Sequence, residues 1–258
     1  MCDAECYPNV EKDGSRKRSM IYYKLGEDIT AFTTDRTIGR DETGLLGSLP
    51  VRASRLVYPH QTHTDRIAVV DSHMLSLPVT ECKACLEGID AIISDQCGVA
   101  MGISTADCIP VLVYDASHHA AAAIHAGWRG TVARIVEKTL TVMSATYGTV
   151  PTQCVAAIGP GISQDSFEVG QEVVDRFTEA GFQIDRYVIM KRKPHIDLKG
   201  INREQLLNCG LKAGNITVSD VDTYTDSRYF SARREQQPPA ADGTVVKCGR
   251  ILSGFVLT

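Results

Sequence analysis

The chain has 258 residues, enough for one large α/β domain or two small ones. Hydrophobic residues make up 43% and charged residues 22%, which excludes a disordered chain. The net charge of −4 excludes a broad basic surface for nucleic acid or anionic membranes. A phosphate-bearing ligand must therefore be met by a local cluster of cations.

Residues 1–18 are polar and mixed in charge, with no apolar core of the kind a signal peptide carries. No apolar run approaches the length of a bilayer span. The sequence reading is thus a cytoplasmic protein with no membrane partner, made of an extension over 1–20 and a domain over 21–258. Nine cysteines, an odd number, run from Cys2 to Cys248. In a reducing compartment they read as free thiols. Cys154, ahead of an apolar run, reads as a small core residue.

Short apolar runs bounded by turn residues predict strands over 56–58, 66–70, 91–94, 99–104, 109–114 and 120–124. The period then changes. Val132, Ile135, Val136, Leu140 and Met143 fall at helical spacing and predict a helix over 131–147, stopped by Gly148. Further on, strands are predicted over 154–158, 186–190 and 250–257. Helices are predicted over 171–180 and 202–209. The polar stretch 233–243, with Pro238-Pro239, reads as a surface loop. Strands outnumber helices early and the alternation is irregular, so the fold class is α+β, with sheets packed on each other and helices outside.

Three short segments carry the chemistry: Gln61-Thr62-His63, Ala106-Asp107-Cys108-Ile109-Pro110 and His125-Ala126-Gly127-Trp128-Arg129-Gly130. Each places a nitrogen or sulfur ligand at the end of a predicted strand. Two imidazoles and one thiolate suit zinc and leave a fourth tetrahedral position open, the catalytic arrangement. The ligands are 45 and 17 residues apart, which matches no compact zinc finger. His60 and His63 compete for one ligand role. On a strand they face opposite ways and Gln61 shares a face with His63, so His63 is the ligand and Gln61 a pocket residue. Asp107 reads as a turn cap. Arg129, beside His125 at the start of the predicted helix, is a candidate anion grip. Cys82-Lys83-Ala84-Cys85 reads as part of a loop, an incidental pair or a weak surface metal site.

At these three segments the chain resembles the YfiH-like family, whose vertebrate members are called laccase-domain proteins. The likeness continues through 89–94, 158–162, 167–170, 196–198 and 230–234. It departs where the family usually has cysteines, at Gly161, Ser166 and Asp222. The family's Phe-Thr-Thr-Arg appears as Phe32-Thr33-Thr34-Asp35-Arg36, with the arginine displaced by one.

The resemblance implies a four-layer α/β/β/α sandwich in a single domain and a zinc site at His63, Cys108 and His125. It also implies a purine nucleoside phosphorylase that takes adenosine, inosine or methylthioadenosine with phosphate, with adenosine deaminase activity beside it. The catalytic residues are then His63, Cys108, His125 and Arg129. The substrate-binding residues are Gln61, Arg129 and Arg233, with both arginines as candidates for the phosphate. Three alternatives stand beside this reading. One is a thiol hydrolase with Cys108 as nucleophile and a histidine as base. Another is the older description of the family as copper polyphenol oxidases. Against copper, the chain has seven histidines and no His-x-His pair. The third is a non-enzymatic binding protein. Oligomeric state is not legible in the sequence.

Overall fold

The computed structural model describes residues 20–235 and 248–258. The expected extension, apart from Met20, lies outside them, as do Cys2, Cys6 and most of the 233–243 loop. In chain order the elements are β1 (Met20–Tyr23), β2 (Ile29–Thr34), α1 (Glu42–Leu46), β3 (Leu56–Val57) and β4 (Ile67–Val69). Next come α2 (Ser72–Ser76), α3 (Val79–Cys85), β5 (Ala91–Ser94), β6 (Ala100–Thr105), β7 (Ile109–Asp115) and β8 (Ala120–Ala126). Then follow α4 (Trp128–Val132), α5 (Ile135–Tyr147), β9 (Val155–Ile158), α6 (Gln171–Glu179), β10 (Val188–Met190) and β11 (Pro194–Ile196). The chain closes with α7 (Leu198–Asn208), β12 (Ile216–Val218), α8 (Ala232–Glu235) and β13 (Ile251–Leu257).

Two mixed sheets organise these elements. The smaller runs β1-β2-β13-β6-β3 and the larger β12-β9-β7-β8-β5-β4. β7 is buried along its whole length, and its alternation shows why. Ile109, Val111 and Val113 face the cluster beneath α5, α6 and α7. Leu112 and Tyr114 face the other way, into a cluster shared with Met101, Ile103 and Phe255 of the smaller sheet. β8 repeats this, with Ala122 and Ile124 toward the helices and Ala121 and Ala123 between the sheets. Its run of alanines suits the space between two closely packed layers. A third cluster, built on Phe32, Leu45 and Leu252, lies on the other face of the smaller sheet beneath α1.

The connection from β6 to β7 carries the chain from the smaller sheet to the larger in three residues, Ala106, Asp107 and Cys108. β6 ends, β7 begins and β8 ends at one edge of the sandwich, since β7 and β8 pair antiparallel with Pro110 opposite His125. That edge holds the site.

Several expectations change. The single helix over 131–147 is two helices, because Arg134 adopts a left-handed conformation (φ 59°) between α4 and α5. Residues 79–85 form helix α3 rather than a loop, with Cys82 buried and Cys85 exposed. Of the strand expected over 186–190, residues 188–190 are extended. Cys154 is fully buried, and the seven described cysteines are all free thiols. Among the described residues no helix is long and apolar enough to cross a membrane.

Gly102 and Gly254 face each other where β6 meets β13. A Cβ on Gly254 would lie 2.1 Å from the Met101 carbonyl oxygen, and one on Gly102 would lie 2.6 Å from that of Ser253. Neither backbone can yield without parting the two strands. Gly254→Ala is therefore expected to cost about 1–3 kcal/mol, as buried overpacking does. Denaturant unfolding reads this directly, and a change below about 0.5 kcal/mol contradicts the packing described.

Candidate metal centre

Asp90 precedes β5 and is completely buried. Its Oδ1 accepts from the His63 backbone N–H (3.1 Å) and from His125 Nδ1–H (2.6 Å). Its Oδ2 accepts from the backbone N–H of Thr64 (2.7 Å) and Thr62 (3.3 Å) and from the Thr64 hydroxyl (2.7 Å). The Asp90 carbonyl accepts the His125 backbone N–H at 2.8 Å. One residue thus folds the 62–64 turn and orients the His125 ring. Burial would raise its pKa, but the hydrogen bonds from His125 and Thr64 outweigh it and hold the carboxyl below the usual carboxylate range.

Residues 60–63 do not form the strand on which His60 and His63 were expected to face opposite ways. His63 adopts φ 62°, a left-handed conformation that a non-glycine residue holds only when its surroundings fix it. The choice between the two imidazoles still resolves toward His63. The His60 ring turns outward to Glu87, 2.7 Å away.

Cys108 follows Asp107, a second left-handed non-glycine (φ 84°). The buried Asp107 carboxylate accepts from the Thr223 hydroxyl (2.7 Å), the Ser231 hydroxyl (3.0 Å) and the Arg233 backbone N–H (2.7 Å). It does more than cap its own turn, because it binds two late segments of the chain to the crossing between the sheets.

These constraints bring together His63, Cys108 and His125, whose ligand atoms all lie within 4.8 Å of one another. Among the described residues this is the one such group of three or more. Cys108 Sγ lies 3.8 Å from His63 Nε2, and the two imidazole centroids are 5.0 Å apart at 70°. With Nδ1 held by Asp90, His125 presents Nε2 to the cluster. A Cβ on Gly127 would fall 3.0 Å from Cys108 Sγ and 3.1 Å from His63 Cδ2, so the space among the three side chains exists because residue 127 is glycine. Burial works against charge on both Cys108 and His125. Their mutual attraction, with help from His63 and Asp90, brings the thiol down to about 6 and the imidazole up to about 9. Both shifts favour a thiolate beside an imidazolium, and a thiolate is the form that binds metals.

The cluster opens into a cavity of about 630 Å³, within the range of small-molecule sites. Gln61 lines it, but its side-chain amide is engaged. Its Nε2 donates to the Ser104 carbonyl (2.8 Å) and its Oε1 accepts the Ser104 backbone N–H (2.8 Å), which ties the His63 loop to β6. Arg233 lines the cavity too, with its guanidinium 5.7 Å from the Phe167 ring centroid. Arg129 is exposed, lies over the Trp128 ring at 4.3 Å and is not part of the cavity wall. Arg36, displaced in the Phe-Thr-Thr motif, is likewise outside, donating to the Ser227 carbonyl at 3.1 Å. Asp90, Arg40 and Arg250 were missed. Asp90 directly precedes the predicted strand over 91–94, and the two arginines have no neighbouring ligand to mark them.

The chain belongs to the multi-copper polyphenol oxidoreductase laccase family, whose model matches residues 33–257. It is similar to a purine nucleoside phosphorylase of Bacteroides thetaiotaomicron, 42% identical over 224 residues, 85% of this chain and 80% of that protein. It is also similar to adenosine deaminase RL5 of an unknown prokaryotic organism, 41% identical over 190 residues, 72% of each chain. The fold matches the solved structure of the Bacillus licheniformis hypothetical protein YfiH, with a TM-score of 0.74 at 24% identity over 94% of this chain and 98% of that one. YlmD from Geobacillus stearothermophilus gives a TM-score of 0.72 at 24% identity, over 89% and 92% of the two chains.

Asp90→Asn removes the charge that orients His125 and cannot satisfy the same donors. It is expected to weaken metal retention by about 10–100-fold, the usual effect of losing a group that positions a ligand. Competition with a chelator measures this, and retention equal to wild type contradicts the orienting role.

Proposed function

We propose that this chain is a zinc-dependent enzyme acting on purine nucleosides, a phosphorylase that joins phosphate to the ribose, with adenosine deamination as a companion activity. The observation that carries the reading is the His63–Cys108–His125 cluster at the floor of a cavity sized for a nucleoside. The names of the two similar proteins supply the substrate class.

The donor set fits zinc. It offers two imidazole nitrogens and a thiolate, with His125 held by a carboxylate behind it as zinc-ligating histidines usually are. Zinc held by His63, Cys108 and His125 would supply a Lewis acid beside the cavity. The chain's own residues do the rest. Asp90 keeps the Nδ1 proton on His125, so that Nε2 faces the cluster. Gly127 keeps the approach clear. Arg233 offers a planar fork of donors to a phosphate, whereas Arg129, outside the cavity wall, has no part in this reading. In phosphorolysis the N-glycosidic bond breaks, a bond forms between C1′ and a phosphate oxygen, and the departing purine takes up a proton. A single three-ligand cluster among the described residues favours one zinc over the several coppers in the family's name. The reaction is expected in the cytoplasm, with nucleoside and phosphate as the small-molecule partners.

A second reading has its own support. The lowered thiol of Cys108, beside two imidazoles, is also what a cysteine hydrolase needs.

Elemental mass spectrometry of the purified protein separates the two. The zinc reading predicts about one zinc per chain, lost in His63→Ala and Cys108→Ala, and conversion of adenosine and phosphate to adenine and ribose 1-phosphate by wild type alone. A metal-free protein whose activity disappears on alkylation of Cys108 contradicts it and supports the hydrolase.

A further inference from the structure

The cavity wall carries more positive charge than the metal cluster explains. Three arginines line it: Arg40 ahead of α1, Arg233 on α8 and Arg250 immediately before β13. Among the described residues none of the three forms an ion pair. Their neighbours in sequence differ, since Arg36 and Arg234 both meet Glu235, at 3.6 and 3.3 Å. Asp107, the carboxylate in the wall, is already occupied by Thr223, Ser231 and the Arg233 backbone. Arg40 and Arg233 lie over the rings of Tyr58 and Phe167, each 5.7 Å from the centroid. Arg250 Nη1 donates to the carbonyls of Cys248 and Gly249, both at 2.9 Å, which fixes the guanidinium and leaves its other donors for a ligand.

A second, independent feature lies in the same wall. Thr105 ends β6 and is 1% exposed. Its hydroxyl oxygen is buried with no hydrogen-bond partner among the described residues. It sits opposite Ile251, one residue from Arg250, and lines the same cavity. A buried hydroxyl left unpaired is unfavourable, so such a group calls for a ligand or a water. A hydroxyl can donate to an oxyanion, and guanidinium forks match its oxygens with paired N–H groups.

We propose that Arg40, Arg250 and the Thr105 hydroxyl join Arg233 in a subsite that seats the phosphate dianion, built from residues separate from the three metal ligands. The assignment rests on the phosphorylase reading for what the phosphate does next, but not for its binding. It moves the anion grip from the exposed Arg129 to the wall shared by α1 and β13. Arg40 also borders an adjoining cavity of about 470 Å³, with Pro59 and His60 common to both. It therefore stands between the phosphate and any substituent that extends into that second space.

The test is calorimetric titration of the metal-loaded full chain with inorganic phosphate and no nucleoside, using wild type, Arg40→Gln, Thr105→Val and Thr105→Ser. Arg40 is exposed, so its replacement leaves the fold intact, and the serine variant keeps the hydroxyl in the same backbone. Wild type is expected to bind phosphate. Arg40→Gln is expected to bind it at least about tenfold more weakly, as loss of a charge-assisted hydrogen bond implies. Thr105→Val weakens binding and Thr105→Ser restores it. No phosphate binding by wild type, or equal binding by all four proteins, overturns the subsite. Binding that depends on Arg40 and Thr105 in a chain that cleaves no nucleoside supports the subsite and overturns only the phosphorylase reading.

Discussion

Asp90 is a fully buried carboxylate, and a buried charge persists only where enough donors meet it. Here five donors converge, from the 62–64 turn and from the His125 ring. Satisfying that one charge forces His63 into a left-handed conformation and fixes which nitrogen of His125 faces Cys108. The three side chains of the cluster are thus held by the solvation requirement of a residue outside it. This is why two histidines 62 residues apart in sequence meet at one point.

Asp107 solves a parallel problem on the other side of the cluster. The three-residue crossing between sheets leaves little room for a relaxed backbone, and Asp107 takes the strain at φ 84°. Its carboxylate gathers Thr223, Ser231 and the backbone of Arg233, and so carries the late part of the chain to the cavity. The neighbouring departures from the YfiH-like pattern also meet in space. Gly161 bridges to Asp222, and Asp222 accepts from the hydroxyls of Ser166 (2.6 Å) and Ser163 (2.9 Å). Where the family resemblance leads one to expect cysteines, this chain has a hydrogen-bonded carboxylate. Burial would raise the pKa of Asp222, but these donors hold it below the usual range. Its stabilising contribution is present above the unfolded carboxylate pKa of about 3.9 and is lost as pH falls below it.

The three residues that converge in the cluster were legible because each lies in an unbroken local motif beside a strand with clear apolar alternation. Buried strands such as β7 and β8 announce themselves by residue type alone. His63 rather than His60 joins the cluster, although residues 60–63 form no strand and buried Asp90 imposes a turn there. Arg129 looked functional because it adjoins His125 in sequence. In space the helix start carries it outward onto Trp128, while Arg40 and Arg250, far away in sequence, line the cavity. The break at Arg134 and the helix at 79–85 were hidden for a related reason. Local periodicity does not report the left-handed residue that splits one helix, and Cys82 and Cys85 distract from the helical pattern around them. What sequence could not convey is which distant segments share an edge of the sandwich.

The central claim is that His63, Cys108 and His125 together hold one zinc ion. X-ray absorption at the zinc edge of the purified protein addresses it most directly, because it reads ligand type and distance without any assay. The account predicts one sulfur at about 2.3 Å and imidazole nitrogens at about 2.0–2.1 Å, with the sulfur absent in Cys108→Ser. A first shell without sulfur, or an absorption edge belonging to copper instead of zinc, would contradict it.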